Sequence, residues 1–215
     1  MGKEAERRVY NSTARKAAAL STRRSILDAA RRLFLEHGFA GTTMPMIANA
    51  AGIALDTVYA SVGKKPALFR LLVETAISGG DAAVPAEERD YVQAIRAEPT
   101  AEEKLKIYAA ALRAIQPRLA PIFAVLQAAA PQDADLDLLW NEIADRRAAN
   151  MRLLAEDLAG TGRLRRGLSL ETATDTIWSM NSPEFFLLLV DQRGWSLDDF
   201  ECWLADAWIR LLLEP

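Results

Sequence analysis

STRRSILDAARRLFLEHGFAGTTMPMIANAAGIALDTVYASVGKKPALFRLLVET, residues 21–75, holds three short helical patterns in succession. The first carries Ile26, Ala29, Ala30, Leu33 and Phe34, an i, i+3, i+4, i+7, i+8 stripe. Ser21 or Thr22 is placed to cap its start and Gly38 to close it. The second begins at Thr42-Thr43, where either hydroxyl can accept from the free amides of a first turn. Pro45 falls in that turn, where a missing N–H costs little, and Ile47 and Ala50 are expected to face inward. Gly52 supplies the backbone freedom for a tight Ala51-Gly52 turn. The third pattern, Ala54 to Val62, is about two turns long and too short to persist alone in water, so Ile53, Val58 and Val62 must anchor it. This is the layout of a helix-turn-helix, in which the third helix enters the major groove of DNA. A fourth helix starts near Lys64-Lys65-Pro66, with Leu68, Leu71 and Leu72 on its apolar face.

The segment resembles the tetracycline-repressor (TetR) family of bacterial transcriptional regulators. The resemblance rests on Gly38-Phe39, Thr42-Thr43, Ile47-Ala48, Ala51-Gly52-Ile53, Thr57-Val58-Tyr59, Lys65 and Leu68-Phe69. It covers about a quarter of the chain; the remainder matches only in length and helical content. Ala54 stands where a Ser cap is common, Ser61-Val62 where His/Tyr-Phe is frequent, and Pro66 where an acidic residue is usual. These departures bear on the operator sequence more than on the fold. The resemblance implies an all-α homodimer: a three-helix DNA-binding head joined to a larger helical domain that binds a small-molecule effector and dimerises. It also implies phosphate contacts from Thr42, Thr43, Tyr59, Lys64, Lys65, Arg23 and Arg24. Leu55, Asp56, Thr57, Ala60 and Ser61 are the exposed, base-reading positions. Asp56 can accept from cytosine N4, or can serve the helix N-terminus in place of the cap missing at Ala54.

Charge agrees with this division. Residues 1–75 contain twelve Lys and Arg against six Asp and Glu, a net of +6, while the whole chain is −3, leaving −9 for residues 76–215. A basic head on an acidic body points to a polyanion partner for the head. Residues 1–20 are expected to be a flexible basic arm reaching phosphates or a minor groove, with Arg15 and Lys16 its best contacts, or else a terminus without a role. The arm lacks the apolar core of a signal peptide. No run of 18 apolar residues occurs, so no membrane span is expected. Cys202, the single cysteine, excludes an intramolecular disulfide and suits a reducing cytoplasm; a buried or half-buried thiol is expected.

The chain divides into the arm (1–20), the head (21–65) and the body (66–215). Beyond residue 76 every pattern is helical. Ser78-Gly79-Gly80-Asp81 and Val84-Pro85 break the chain, and Glu87–Ala97 is a short helix stopped by Pro99. Thr100 caps a helix to about Gln116, ended by Pro117, and another follows from Ala120 to Ala130. Further helices are expected from Pro131-Gln132-Asp133 to about Leu158, from Ser169 or Leu170, and from Leu197 to Leu213, with Pro183 kinking or splitting the one before the last.

The final helices carry surplus apolar residues, which mark a partner face. Leu188, Leu189, Trp203, Ala207, Trp208, Leu211 and Leu212 are the expected homodimer contacts, part of the stripe also covering the domain's own core. A palindromic operator needs two recognition helices about 34–36 Å apart, which a dimer supplies. Polar residues on apolar helices mark a pocket for an effector: Asn150 and Asn181, with Tyr108, Phe123, Trp140, Trp178 and Phe185 around them. Pro183 should free a carbonyl there. Enzyme chemistry lacks an inventory. His37 sits at a helix end, no His or Cys cluster suggests a metal, Gly160-Thr161-Gly162 has Arg165 in the third glycine's place, and Gly63-Lys64-Lys65 lacks the rest of a P-loop. No cofactor is expected. The competing class is a helical interaction or architectural module that binds DNA without sequence preference or effector.

Overall fold

The computed structural model describes residues 2–80 and 82–215, with side chains from residue 17 onward. Among them it is all-α, with no strand; an isolated bridge pairs Leu164 with Leu213. Helix α1 spans Gly2–Gly41 and is broken near its end by Gly38 at φ 70, ψ 178, a conformation that favours glycine. The helix does not start at Ser21 or Thr22: its backbone passes through both, and Ser21 O accepts from Ser25 Oγ at 3.2 Å. The side chains of Arg15 and Lys16, the expected arm contacts, lie outside the described residues, as does Asp81 of the first body break. Helices α2 (Met44–Ala51), α3 (Leu55–Val62) and α4 (Lys65–Ser78) follow.

The stripe of α1 is buried as its spacing requires: Ile26, Ala30 and Phe34 are wholly inaccessible. Helix α2 turns Met44, Ile47 and Ala48 inward, while Ala50 is exposed. The expected inward Ala50 fails because the i, i+3, i+4 set starts at Met44, and Ala50 lies outside it. Phe34, Phe39 and Phe69 make an aromatic triad, with centroid distances of 5.7, 5.1 and 5.6 Å. Phe69 belongs to α4, so that helix completes the head's interior before it reaches the body.

The body comprises α5 (Asp90–Ala97), α6 (Ala101–Ala129), α7 (Ala134–Gly160), α8 (Leu170–Met180), α9 (Pro183–Phe186) with a π-helical turn over Leu187–Gln192, and α10 (Leu197–Leu212). The chain does not stop at Pro117. Pro117 and Pro121 lie inside one 29-residue helix, each removing a single rung. Apolar residues before and after them, Leu112, Ile115, Leu119, Ile122 and Phe123 among them, are buried, and that burial outweighs the lost bonds. By length and composition Ala101–Gln132 could cross a membrane, but half of its most apolar window is buried here; it is the spine of the fold. Its later half shares one core with the head and the start of α7, and its first half shares a second with α8, α9 and α10. Cys202 is exposed on α10, against the expected half-buried thiol, because the inward stripe is Phe200, Leu204, Ala205 and Trp208.

Candidate nucleic-acid interface and body cavity

Helix α3 is presented by its neighbours. Thr43 caps α2, its hydroxyl accepting from Met46 N at 3.3 Å. Gly52, at φ 68 and ψ 31, ends α2 in the left-handed conformation and turns the chain into α3. Ala54 offers no side-chain cap, and Asp56 stands in the first turn of α3, where its charge favours the helix dipole. Val58 and Val62 pin α3 down. Asp56, Thr57 and Ala60 are left exposed, whereas Leu55 and Ser61 are half-buried and Leu55 packs against the head core. Tyr59 is 43% exposed, beside this face.

Two of the expected phosphate ligands have inward tasks. Thr42 is completely buried; its hydroxyl lies 3.0 Å from Leu33 O and 2.8 Å from Gly38 O, so it closes the break at Gly38 and is removed from the contact set. The half-buried Lys65 donates to Phe39 O at 2.8 Å and Thr42 O at 2.9 Å, with its ammonium 4.0 Å from the centre of the Phe39 ring. Burial pushes its pKa down, opposed by Asp133. Thr43, Lys64 and Arg24 are exposed, and Arg23 is half-buried with its Nε unbonded.

The body holds a partly open cavity of about 350 Å³, within the range of small-molecule sites. Its walls come from α4 (Val73, Ile77), α5 and its approach (Arg89, Tyr91, Ile95), α6 (Tyr108, Leu112, Gln116, Phe123), α7 (Ile143, Arg147, Asn150, Met151) and the α8–α9 break (Asn181, Pro183). Tyr108, Phe123, Asn150 and Asn181, four of the seven residues expected around a pocket, line this cavity. Trp140, Trp178 and Phe185 are not in the lining. Trp140 stands behind Phe123, 4.8 Å between centroids; Trp178 stands behind Arg147, whose guanidinium is 4.9 Å from its ring; Phe185 stacks on Trp203 at 5.7 Å.

Pro183 does split the helix, with Ser182 capping the new start by accepting from Phe185 N at 3.1 Å. The carbonyls around the break are nevertheless occupied. Trp178 O accepts from Arg147 at 2.7 Å and Asn181 O from Gln116 at 2.7 Å. The Asn181 amide donates to Tyr108 Oη at 2.7 Å and Met151 Sδ at 2.8 Å, and its Oδ1 accepts from Arg147 at 2.9 Å. Burial drives the Tyr108 phenol well above its ordinary range. Burial also lowers the Arg147 guanidinium, partly offset by Tyr108 and Glu184.

Residues 26–72 match the family model for bacterial regulatory proteins, tetR family. The head is a TetR-family head. Solved structures extend the likeness to the whole fold. NalD, the secondary repressor of the MexAB-OprM multidrug efflux pump in Pseudomonas aeruginosa, is 24% identical, with 90% of this chain and 96% of that one covered at a TM-score of 0.69. The fatty acid degradation regulator FadR of Bacillus halodurans is 21% identical over 86% and 93% of the chains, TM-score 0.63. A choline-bound regulator from Saccharomonospora viridis is 18% identical over 90% and 98%, TM-score 0.65. No protein of curated function matches the sequence.

Behind this TetR-type head, the last two elements divide between core and surface. Trp208 and Leu212 are completely buried, Trp208 stacking on Tyr108 at 5.4 Å; both are corrected from interface to core. Leu188 (50%), Leu211 (47%) and Trp203 (39%) remain exposed, with Leu189 and Ala207 half-buried. Trp203 also meets Trp195 edge-on at 5.6 Å, so an aromatic cluster crosses this face. The sequence reading missed Gln116 and Arg147. Gln116 falls eight residues after Tyr108 and four after Leu112, on one helical face, and that spacing could have found it. Arg147, in an Arg-Arg pair on a charged helix, gave no comparable signal.

Proposed function

We propose that this protein is a DNA-binding transcriptional regulator, a homodimeric repressor released from a palindromic operator by a small molecule in the bacterial cytoplasm. The observation that carries the proposal is the joining of the two sites: the cavity is walled by Val73 and Ile77 of α4, the helix whose first turns hold Leu68 and Phe69 in the head core. Arg70 and Glu74 of α4 pair with Glu142 and Arg146 of α7, the second at 2.7 Å, next to Arg147 in the cavity wall. An occupant that prefers one spacing of α4 and α7 shifts the heads by its differential affinity for the two arrangements. Relatives by fold support each half: NalD is named as a repressor, and another is seen with choline bound.

In the complex, Thr43, Tyr59, Lys64, Arg23 and Arg24 hold phosphates, while Asp56, Thr57 and Ala60 face base edges, with Leu55 and Ser61 at the margin. The exposed Trp203, Leu188 and Leu211 face pairs two copies. DNase footprinting on the DNA flanking its own gene tests the proposal. Protection of one short palindrome by a species of twice the 23.7 kDa chain mass is expected. Uniform protection without a bounded site would favour an architectural DNA-binding module, and no DNA binding would refute both.

A further inference from the structure

The hydrogen-bond inventory of the cavity leaves two groups unanswered. Gln116 is 1% exposed, and its amide cannot be reversed: Nε2 donates to Asn181 O, and the opposite orientation would set two acceptors together. Its Oε1 is therefore fixed as a buried acceptor, and no donor meets it. Arg147 directs Nη2 to Trp178 O and Asn181 Oδ1; its Nε and Nη1 have no protein acceptor and it forms no ion pair among the described residues. Glu184 attracts it from beyond ion-pair distance. Of the other charges in the wall, Arg146 is paired with Glu74 and Asp157 with Lys104, and Arg89 is turned to Val84 O and Tyr91 Oη. Arg96 and Glu87 are both exposed to solvent. Neither Arg89 nor Arg147 has a carboxylate partner among the described residues, so the wall offers an occupant positive charge, and Arg147 is the cation held beside Gln116 through Asn181.

Both unanswered groups are tethered to one residue, Asn181, so they address the same end of an occupant. A buried acceptor lacking a donor is costly, and a half-buried cation lacking an anion gains from one. A single head group that is anionic and carries an adjacent hydroxyl answers both. Leu112, Ile115, Leu119 and Ile143 leave the other end apolar. At roughly 30 Å³ per non-hydrogen atom, the share of a water in the liquid, 350 Å³ holds about a dozen atoms.

We propose that the cavity is a site for medium-chain hydroxy acids, with the carboxylate on Arg147, the hydroxyl donating to Gln116 Oε1 and the chain along α6. This rests on the effector-cavity reading above and adds the ligand's chemistry. The test is titration calorimetry of the full-length protein, without DNA, against 3-hydroxydecanoate, decanoate, 1-decanol and decyltrimethylammonium. Affinity should fall in that order, the acid exceeding the alcohol by about tenfold or more, as for a charge-assisted bond. Gln116→Met should erase the advantage of the hydroxy acid over decanoate, and Arg147→Gln that of the acid over the alcohol. Arg147→Lys, which keeps the charge if the glutamine variant unfolds, should retain the preference for acids. Alcohol or ammonium binding as tightly as the acids, no saturation at millimolar probe, or an order indifferent to both side chains would overturn the proposal. Operator binding is measured separately: a protein that footprints its palindrome yet prefers the alcohol defeats only the hydroxy-acid assignment, and one that ranks the probes as expected but ignores DNA defeats only the regulator.

Discussion

Replacing Lys65 by methionine separates an internal clamp from a DNA contact. The ammonium bonds Phe39 O at 2.8 Å and Thr42 O at 2.9 Å and lies 4.0 Å over the Phe39 ring. Two charge-assisted hydrogen bonds at about 1.5–3 kcal/mol each and a cation–π contact of about 0.5–1 kcal/mol give roughly 4–7 kcal/mol gross. Returning a half-buried cation to an apolar side chain recovers desolvation, and Phe39 O keeps the amide of Thr42, so a net loss of roughly 2–4 kcal/mol remains. For a chain of this size that lowers Tm by about 4–16 °C. Thermal unfolding by circular dichroism reads this directly. Operator affinity measured across a salt series well below Tm should keep its slope, whereas deleting a phosphate contact lowers it by about 0.9. An unchanged Tm with a slope reduced by that amount would refute the clamp and return Lys65 to the DNA backbone.

Tyr108, whose raised phenol pKa lies above its unfolded value, contributes stability that is complete below about pH 10 and is lost as pH rises beyond it; alkaline denaturation of Tyr108→Phe should show a shallower loss, and identical curves would exclude the linkage. Leu211→Glu should give monomers in sedimentation with little loss of Tm, while Trp208→Ala, emptying a completely buried site, should cost about 3–5 kcal/mol in urea unfolding; the reverse pattern would exchange core and interface. Glu74→Gln breaks the 2.7 Å pair with Arg146 and should change stability by no more than about 1 kcal/mol, yet narrow the gap in operator affinity with and without bound acid; an unaltered gap removes the pair from the coupling route.

What the chain declared about itself was mostly local. Thr43, Gly52 and Ala54 sit where turn and cap chemistry placed them, because those demands act within four residues. The first helix's stripe was legible for the same reason. Pro117 misled because a proline's local cost is visible in sequence and the burial on both sides that overcomes it is not. Trp208 and Trp203 belong to one amphipathic stripe, but only the position of Tyr108 on α6 decides that the first is covered and the second is not. In the cavity, Tyr108, Phe123, Asn150 and Asn181 were legible as polar or aromatic residues in apolar surroundings. Trp140 and Trp178 share that signature and stand one layer behind. Thr42 and Lys65 carry the residue types of a phosphate site, and their inward bonds depend on a chain reversal at Gly38 whose angle no spacing rule specifies.

The core that α6 shares with α1 and α4 limits how modular this protein is. Ile115, Leu119, Ile122 and Phe123 are buried in the same cluster as Phe34 and Phe69. A chimera spliced at residue 65 would therefore strand an oily seam on both halves, and the DNA-reading unit could not be moved to a foreign body as a cassette. To be transplanted it must bring the matching face of α6 with it, so new DNA specificities are more accessible by altering the exposed positions of α3 in place than by exchanging heads.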